Sequence, residues 1–326
     1  MSAPRVSVVT AAFNAAGHIA SALESVARQT CTDWELIVVD DGSTDSTADV
    51  VQGFAARDSR VRYRRLARNA GVAAARNAAL GMARGDWVTV LDSDDAYAPD
   101  RLQTLLDRAE SDGLDIVADN LLLHDAAKDV VVCKAFGIGA DACALTRERL
   151  VMNDGPPRIA SLGHLKPFVR RAFLERSGVL YPADARLGED FCFLFFLLER
   201  TDRAKLLDYA GYRYTLPFSL DSGARAPGTR TPYGSDGLED LRRTNLLLRN
   251  RVALHWPAET GLVALLEKRS DDLRHEGAWR EARRSFRLRR YFDAARILAR
   301  IDPTYRRAQL AALVRHRNGR FQTSLS

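Results

Sequence analysis

The sequence predicts an α/β protein: a mostly parallel, doubly wound sheet with helices on both faces, followed by a C-terminal helical region. Three observations predict it. Short β-rich apolar runs alternate with segments of helical spacing through the first ninety or so residues, the strand-like runs end in polar residues, and strand pattern fades after about residue 222.

Residues 6–10 and 35–40 are the first two apolar runs, and between them residues 16–28 carry Ile19, Leu23 and Val26 at helical spacing, which makes a βαβ unit. Val50, Val51 and Phe54 restore the helical pattern after Asp45; a strand pattern follows at 61–66, a helix at 72–83 and a strand at 87–91. Such alternation favours parallel strands joined by right-handed crossovers. Residues 116–122 and 130–136 can add strands, and 191–198 reads as a buried helix that opens on Glu189 and Asp190. Residues 223–237 are rich in Gly, Pro, Ser and Thr and read as a linker or flexible loop. Beyond it, 238–250, 260–274 and 279–300 are helical patterns. The expected division is therefore a domain over 1–222, the linker, and a basic helical region over 238–326.

The size allows this. At 326 residues the chain is roughly twice a ~150-residue domain. Its densest apolar run, 191–198, is far shorter than the ~20 residues of a membrane-spanning helix. Residues 1–10 lack the charged start and apolar stretch of a secretory signal, so the chain is expected in the cytoplasm. Cys31, Cys133, Cys143 and Cys192 lack a Cys-x-x-Cys spacing, which points to buried free thiols rather than zinc or a disulfide framework. His18, His124, His164, His255, His275 and His316 form no ligand spacing and read as structural or surface groups, His164 being near enough to Lys166 and Phe168 to border a site.

Ligands of open α/β sheets bind at the carboxyl ends of the strands, which directs attention to Thr10, Asp40 with Asp41, and Asp92. A turn followed by an N-cap explains Gly42 to Asp45 but not two adjacent strand-end acids. A carboxylate accepts from a base N–H or a ribose hydroxyl, which suits Asp40 to a nucleoside. The second acidic stretch is sharper, because an apolar strand runs straight into Asp92, Asp94 and Asp95. Two carboxylates ~6 Å apart repel by roughly 3 kcal/mol at an effective dielectric near 20, and a bound Mg²⁺ or Mn²⁺ turns that into attraction. Asp94 is the expected direct ligand with Asp92 beside it, in a sparse shell completed by phosphate oxygens; a solvated Asp-rich turn is the competing reading. Arg76, in an Ala-rich helix after Gly71, either faces solvent or turns to a nucleotide or to its acidic neighbours.

Read together, these elements resemble the family 2 glycosyltransferases of GT-A fold, over roughly residues 6–214. The resemblance is carried, in order, by Thr10-Ala11-Ala12-Phe13-Asn14, Asp40-Asp41-Gly42-Ser43-Thr44-Asp45, Asn69-Ala70-Gly71 with Ala75-Arg76-Asn77, Leu91-Asp92-Ser93-Asp94-Asp95, and Gly188-Glu189-Asp190. It implies a nucleotide-sugar half over about 1–125 and an acceptor half over about 126–222. Thr10, Asn14, Asp40, Arg76 and Asp92 would bind the donor, and Asp92 and Asp94 a divalent metal. Asp190 would be the catalytic base, with Glu189 positioning acceptor or base. It further implies an inverting, metal-dependent hexosyltransferase with a UDP-sugar donor, such as UDP-glucose, and a saccharide acceptor. Similarity to bacterial exopolysaccharide enzymes of the succinoglycan type makes that acceptor a lipid-linked oligosaccharide. The sequence departs from some relatives in having Tyr212-Arg213-Tyr214-Thr215 where they place a metal-binding His.

Three other classes fit less well. A sugar nucleotidyltransferase would carry a glycine-rich, arginine-containing loop after the first strand, and a dehydrogenase Gly-x-Gly-x-x-Gly; neither is present. A nucleic-acid-binding protein would account for the net charge of +6, but not for Asp92, Asp94 and Asp190. That charge is concentrated late: Arg280, Arg283, Arg284, Arg287, Arg289 and Arg290 precede Tyr291, Phe292, Ile297 and Leu298. The expectation is either a solvated helix face or peripheral attachment to an anionic membrane surface on its cytoplasmic side.

Overall fold

The computed structural model describes residues 3–154, 160–183, 185, 187–216 and 235–309. Most of the expected linker, 223–234, lies outside them, as do 310–326 and His316; residues 235–237 already begin a helix.

The expected alternation is present as β1 (Val6–Ala12), α1 (Ile19–Ala27), β2 (Trp34–Asp40), α2 (Thr47–Ala55), β3 (Val61–Arg65), α3 (Val72–Leu80) and β4 (Trp87–Val90). These strands lie in the order β3-β2-β1-β4, all parallel, with Val8 opposite both Leu36 and Thr89. Every residue of β2 is buried, so both faces of the sheet are covered, as a parallel sheet requires.

The chain continues through β5 (Ala96–Tyr97), α4 (Arg101–Ser111), β6 (Ile116–Asp125), β7 (Val130–Lys134), β8 (Ala142–Ala144), α5 (Arg147–Met152), β9 (Phe168–Arg170), α6 (Arg171–Ser177), α7 (Glu189–Leu198) and β10 (Ala204–Leu216). Past β4 the sheet runs β9-β6-β10-β5, and there it is mixed: β6 and β10 are parallel, while β9 is antiparallel to both β4 and β6. Strand β10 is the longest and had no counterpart in the sequence reading. Its alternation breaks at Leu206-Leu207 and again at Gly211-Tyr212, and its register to β6 shifts between Leu207 and Tyr212. Buried thiols were expected throughout, yet Cys133 is exposed, because β7 is exposed at all its positions; Cys143 is half-buried, and none of the four cysteines is in a disulfide.

The chain forms two compact units. The first, residues 1–146, 164–184 and 189–230, contains the whole sheet with α1–α4, α6 and α7. The second, 147–163, 185–188 and 231–326, contains α5 together with α8 (Ser235–His255), α9 (Thr260–Arg287) and α10 (Tyr291–Leu298). Within the helical unit, Leu248, Val252, Leu262, Leu266 and Leu273 are buried, and Arg269 bonds Asp154 and Asn245 at 2.8 Å each. The two helices expected at 260–274 and 279–300 are one continuous helix to Arg287, and the break falls instead at 288–290, where Arg289 has φ +59°.

A buried ion pair ties the sheet together. Arg101, fully enclosed at the start of α4, bonds both oxygens of Asp119 on β6 at 2.9 and 2.7 Å, and the Lys166 carbonyl at 2.9 Å. Its guanidinium lies 4.2 Å from the Tyr97 ring centre. Removing one member of such a pair strands the other charge away from water, at a cost of about 3–5 kcal/mol. Asp119→Ala is therefore expected to lose that much stability in urea unfolding, and a loss under 1 kcal/mol would show the pair to be dispensable.

Candidate functional site

The site is built where β1, β2 and β4 end. Ala12 lies opposite Asp40 in the β1–β2 register, and the chain beyond each strand turns away in a loop held by side chains. Asp40 is fully buried: its oxygens accept from the Ser43 amide at 2.8 Å and from the Tyr63 hydroxyl at 2.7 Å. Burial, and then the bond to Asp40, push the Tyr63 phenol up to about 12. Asp41 accepts from the amides of Ala70 and Gly71 at 2.7 and 2.9 Å, clamping the loop that leads into α3. Gly42 has φ +74°, and a Cβ there would lie 2.9 Å from the Arg68 backbone, so this turn needs glycine. Asn14, at φ +50°, accepts from the Thr44 amide at 2.8 Å and donates its own amide to Ser43 Oγ. Thr10 is fully enclosed, with no hydrogen-bond partner for its hydroxyl among the described residues. Thr10, Asn14 and Asp40 are thus gathered at adjoining strand ends, with only Asn14 at the surface.

The three acids after β4 have three different environments. Asp95 is buried, accepting from the Tyr212 hydroxyl and the Thr215 amide at 2.7 Å each, which fixes the loop to β10. Burial, then the Asp94 and Asp92 charges, push its carboxyl well above the ordinary range. Asp94 is exposed and in no ion pair among the described residues. It borders a cavity of about 270 Å³ lined also by His18, Asp95, His124, Arg213 and Thr215. Its crowding by protein, and then the Asp92 charge, raise its carboxyl.

Asp92 belongs to a buried charge cluster. Arg76, 3% exposed, donates to Asp92 at 2.6 Å, to Glu189 at 2.9 Å and to Asp190 at 2.8 Å. Lys166, 2% exposed, lies 2.9 Å from Asp92 and 2.5 Å from Asp190. Arg76 therefore turns to its acidic neighbours, one of the two orientations open from the sequence. The Tyr181 ring centre is 5.1 Å from its guanidinium, and that ring stacks on Phe193 of α7 at 4.0 Å. Asn77, the next residue on α3, exchanges two hydrogen bonds with the Tyr181 backbone, at 2.8 and 2.9 Å. Two cations against three carboxylates leave one formal negative charge. Burial alone would raise the Asp92 carboxyl, but Lys166 and Arg76 hold it well below the usual range. Glu189 is raised, by burial and then by Asp190. Burial opposes the charge on Lys166, yet Asp190 and Asp92 raise it well above a free lysine.

Lys166 and Tyr181 are the members of this cluster that sequence reasoning missed. The available signal was a lysine in the run Leu165-Lys166-Pro167-Phe168 beside β9, where a cation needs a partner. Among the described residues no group of three or more His, Cys, Asp or Glu is arranged around a common metal position. The Asp92 oxygens face Arg76 and Lys166, and those of Asp95 face Tyr212 and Thr215, so Asp94 is the carboxylate with oxygens to offer. That fits an ion held by few protein ligands and completed by a phosphate-bearing ligand, not an all-protein cage.

Comparison with known proteins shows what the chain is similar to. Residues 7–131 match the model described as Glycosyl transferase family 2. The chain is 37% identical over 222 residues to the succinoglycan biosynthesis protein ExoO of Rhizobium meliloti, covering 65% of this chain and 60% of that protein. It is 35% identical over 212 residues to ExoU of the same organism, covering 64% and 60%. It therefore aligns with about three fifths of the length of these relatives. Among solved structures it is similar to S. aureus TarS 1–349, with a TM-score of 0.61 and 22% identity over 81% of this chain and 71% of that one. It is also similar to the mannosyltransferase PcManGT of Pyrobaculum calidifontis, with a TM-score of 0.56 and 18% identity over 98% and 83%. The fold is GT-A.

The cluster has a pH signature. The folded carboxyl of Asp92 lies below its unfolded value of ~3.9, so its stabilisation is full above that value and is lost as pH falls toward the folded one. Lys166→Met removes a cation that lowers Asp92, so acid unfolding followed by circular dichroism is expected to begin at higher pH than in wild type, with Lys166→Arg in between. Superimposable acid transitions would remove Lys166 from the cluster's electrostatics.

Proposed function

We propose, from the match of residues 7–131 to the glycosyl transferase family 2 model, that the chain moves a sugar from a nucleotide sugar to a hydroxyl of a saccharide acceptor, with inversion at the anomeric carbon. One observation carries this reading: Asp190 is fixed beside Asp92 at the end of β4 by two buried cations, Arg76 and Lys166. Asp190 is the base. It takes the proton of the acceptor hydroxyl as that oxygen bonds to the anomeric carbon, and the bond from that carbon to the diphosphate breaks with its electron pair leaving on phosphate oxygen. A single displacement inverts the centre. Glu189, sharing Arg76 with Asp190, positions the base or the acceptor.

Asn14, at the surface, would meet the nucleoside directly, while Thr10 and Asp40, both enclosed, would reach it only after the strand-end loops shift. Asp40 would then accept from a base N–H with the lone pairs that Ser43 and Tyr63 leave over, a carboxylate having about four acceptor sites. Asp94, with Asp92 behind it, would hold a Mg²⁺ or Mn²⁺ ion whose charge stabilises the leaving diphosphate. TarS has been solved with UDP and with UDP-GlcNAc, and PcManGT with GDP-Man and Mn2+, which supports a nucleotide-sugar donor and a divalent ion. We take the donor to be a UDP-sugar. ExoO and ExoU are named for succinoglycan biosynthesis, which supports a saccharide acceptor in exopolysaccharide assembly, and we take that acceptor to be a lipid-linked oligosaccharide. In this reading residues 1–222 are the catalytic domain, the donor bound by 1–125 and the acceptor by 126–222. The enzyme works at the cytoplasmic face of the membrane, and 238–326 helps to hold it there.

Two outcomes follow. Asp190→Asn is expected to keep donor binding by calorimetry while transfer falls by about 10²–10⁴, and the wild-type product is expected to have the inverted anomeric configuration by NMR. Near wild-type turnover in Asp190→Asn would place the base elsewhere. Exhaustive chelation should silence transfer and added Mn²⁺ restore it, with Asp94→Ala unresponsive to either; undiminished activity in chelator would remove the metal from the mechanism.

A further inference from the structure

The corner between α9 and α10 carries an unusual surface for a folded protein. Phe286, Leu288, Tyr291 and Phe292 lie within seven positions and are 62%, 58%, 53% and 94% exposed. The rings of Phe286 and Tyr291 meet edge to face at 5.2 Å, so these side chains contact one another at the surface instead of filling the core. By contrast Ala294, three positions past Tyr291 on α10, is buried. The corner has a defined shape: α9 ends at Arg287, Arg289 adopts φ +59°, and α10 starts at Tyr291.

Arginines surround it. Arg283, Arg284, Arg287 and Arg289 are exposed, and none of them forms an ion pair among the described residues. Their neighbours differ: Arg280 pairs with Glu276 and Arg290 with Asp293. The sequence grouped all six arginines with Tyr291, Phe292, Ile297 and Leu298. The structure narrows the face to four unpaired arginines and the four residues at the corner, since Ile297 and Leu298 are half-buried.

We propose that this corner docks on an anionic phospholipid surface, the aromatic and aliphatic tips entering the headgroup region while the arginines meet lipid phosphates. Charge selects this occupant. Residues 310–326 contain Arg315, Arg317 and Arg320 and no acidic residue, so that segment brings no negative charge to the patch. A second copy would bring the same arginines against it. Leu288 and the fully projecting Phe292 find an apolar medium in lipid, whereas a nucleic acid backbone would leave them in water. Basic residues near an anionic leaflet and apolar side chains inserted at the interface reinforce each other, and together they give reversible attachment. This corner would supply the membrane attachment proposed above and so rests on that reading; it lies in the helical unit alone, and its docking does not depend on the transfer reaction.

Sedimentation with phosphatidylglycerol vesicles and with phosphatidylcholine vesicles, over a salt series, tests it without any turnover. The wild-type protein is expected to sediment with the anionic vesicles at low salt, to be released as salt rises, and to leave the neutral vesicles largely unbound. Arg283→Gln with Arg284→Gln and Arg287→Gln should lower the anionic partition on the order of 100-fold, from roughly fivefold for each arginine. Phe286→Ser with Phe292→Ser, on exposed side chains, should leave the circular dichroism and melting temperature unchanged and weaken binding at least tenfold. Equal sedimentation with both vesicle types would overturn the proposal, as would vesicle binding unchanged in both variants. So would a single-stranded oligonucleotide held more tightly than the vesicles through the same residues, or a dimer that the same substitutions dissolve.

Discussion

Two buried cations set the terms for the sheet-bearing unit. Arg76 and Lys166 are almost wholly withdrawn from water, and a charge so placed is tolerated only with close partners of opposite sign. Asp92, Glu189 and Asp190 are those partners. They come from the end of β4 and the first turn of α7, while the cations come from α3 and from the segment that leads into β9. One electrostatic requirement therefore holds four separate stretches of chain at one strand end. The apolar support follows the same logic: Tyr181, pinned by Asn77, lies against the Arg76 guanidinium and is backed by Phe193.

The sign of the cluster bears on what it can receive. Three carboxylates against two cations leave it negative, and Asp94 adds a further outward-facing acid. For the diphosphate of the proposed donor this charge is unfavourable, and among the described residues only His18, His124 and Arg213 line the adjoining cavity to offset it. A divalent ion arriving with the donor would relieve it, and the exposed Asp94 carboxylate is where such an ion would meet the least competition from protein cations. The negative balance, and not a ready-made cage of ligands, is the physical argument for a metal that comes with its substrate.

Much of this arrangement was legible in the residues. The strands to β4 and the helices between them announce themselves by local alternation, and the polar residues at their ends mark where a ligand binds in such a sheet. Roles within each acidic stretch were not legible. Asp40 and Asp41 are chemically the same, yet one is enclosed by Ser43 and Tyr63 while the other clamps the amides of Ala70 and Gly71. Asp95 is fixed by Tyr212 and Thr215, more than a hundred positions away. Strands β9 and β10 escaped for related reasons: three residues are too few for a period, and Gly211 with a register shift interrupts the other. A lysine within Leu165-Lys166-Pro167-Phe168 hints at burial but names no partner, so Lys166's place beside Asp92 and Asp190 needed the fold to reveal it. Helix α4 was also missed, although Leu102, Leu105, Leu106 and Ala109 carry its helical spacing in the residues themselves.

A net charge of +6 says little until the arginines are sorted by what they touch. Arg76 and Arg101 are enclosed among carboxylates of the sheet unit, and Arg269 joins Asp154 and Asn245 inside the helical one. Arg242 and Arg280 lie against acids on their own helices. Those arginines serve the fold, and their charge is cancelled locally. Among the described residues the group at the end of α9 has no such cancellation, and it occurs where the apolar side chains also lack burial. An unpaired exposed arginine costs nothing in water, and neither does one exposed phenylalanine; both kinds crowded at one corner are another matter, because contiguous exposed apolar area is seldom kept on a monomer without a use. Charge and apolarity left over at the same place narrow the use to a partner that offers negative charge and an apolar medium together.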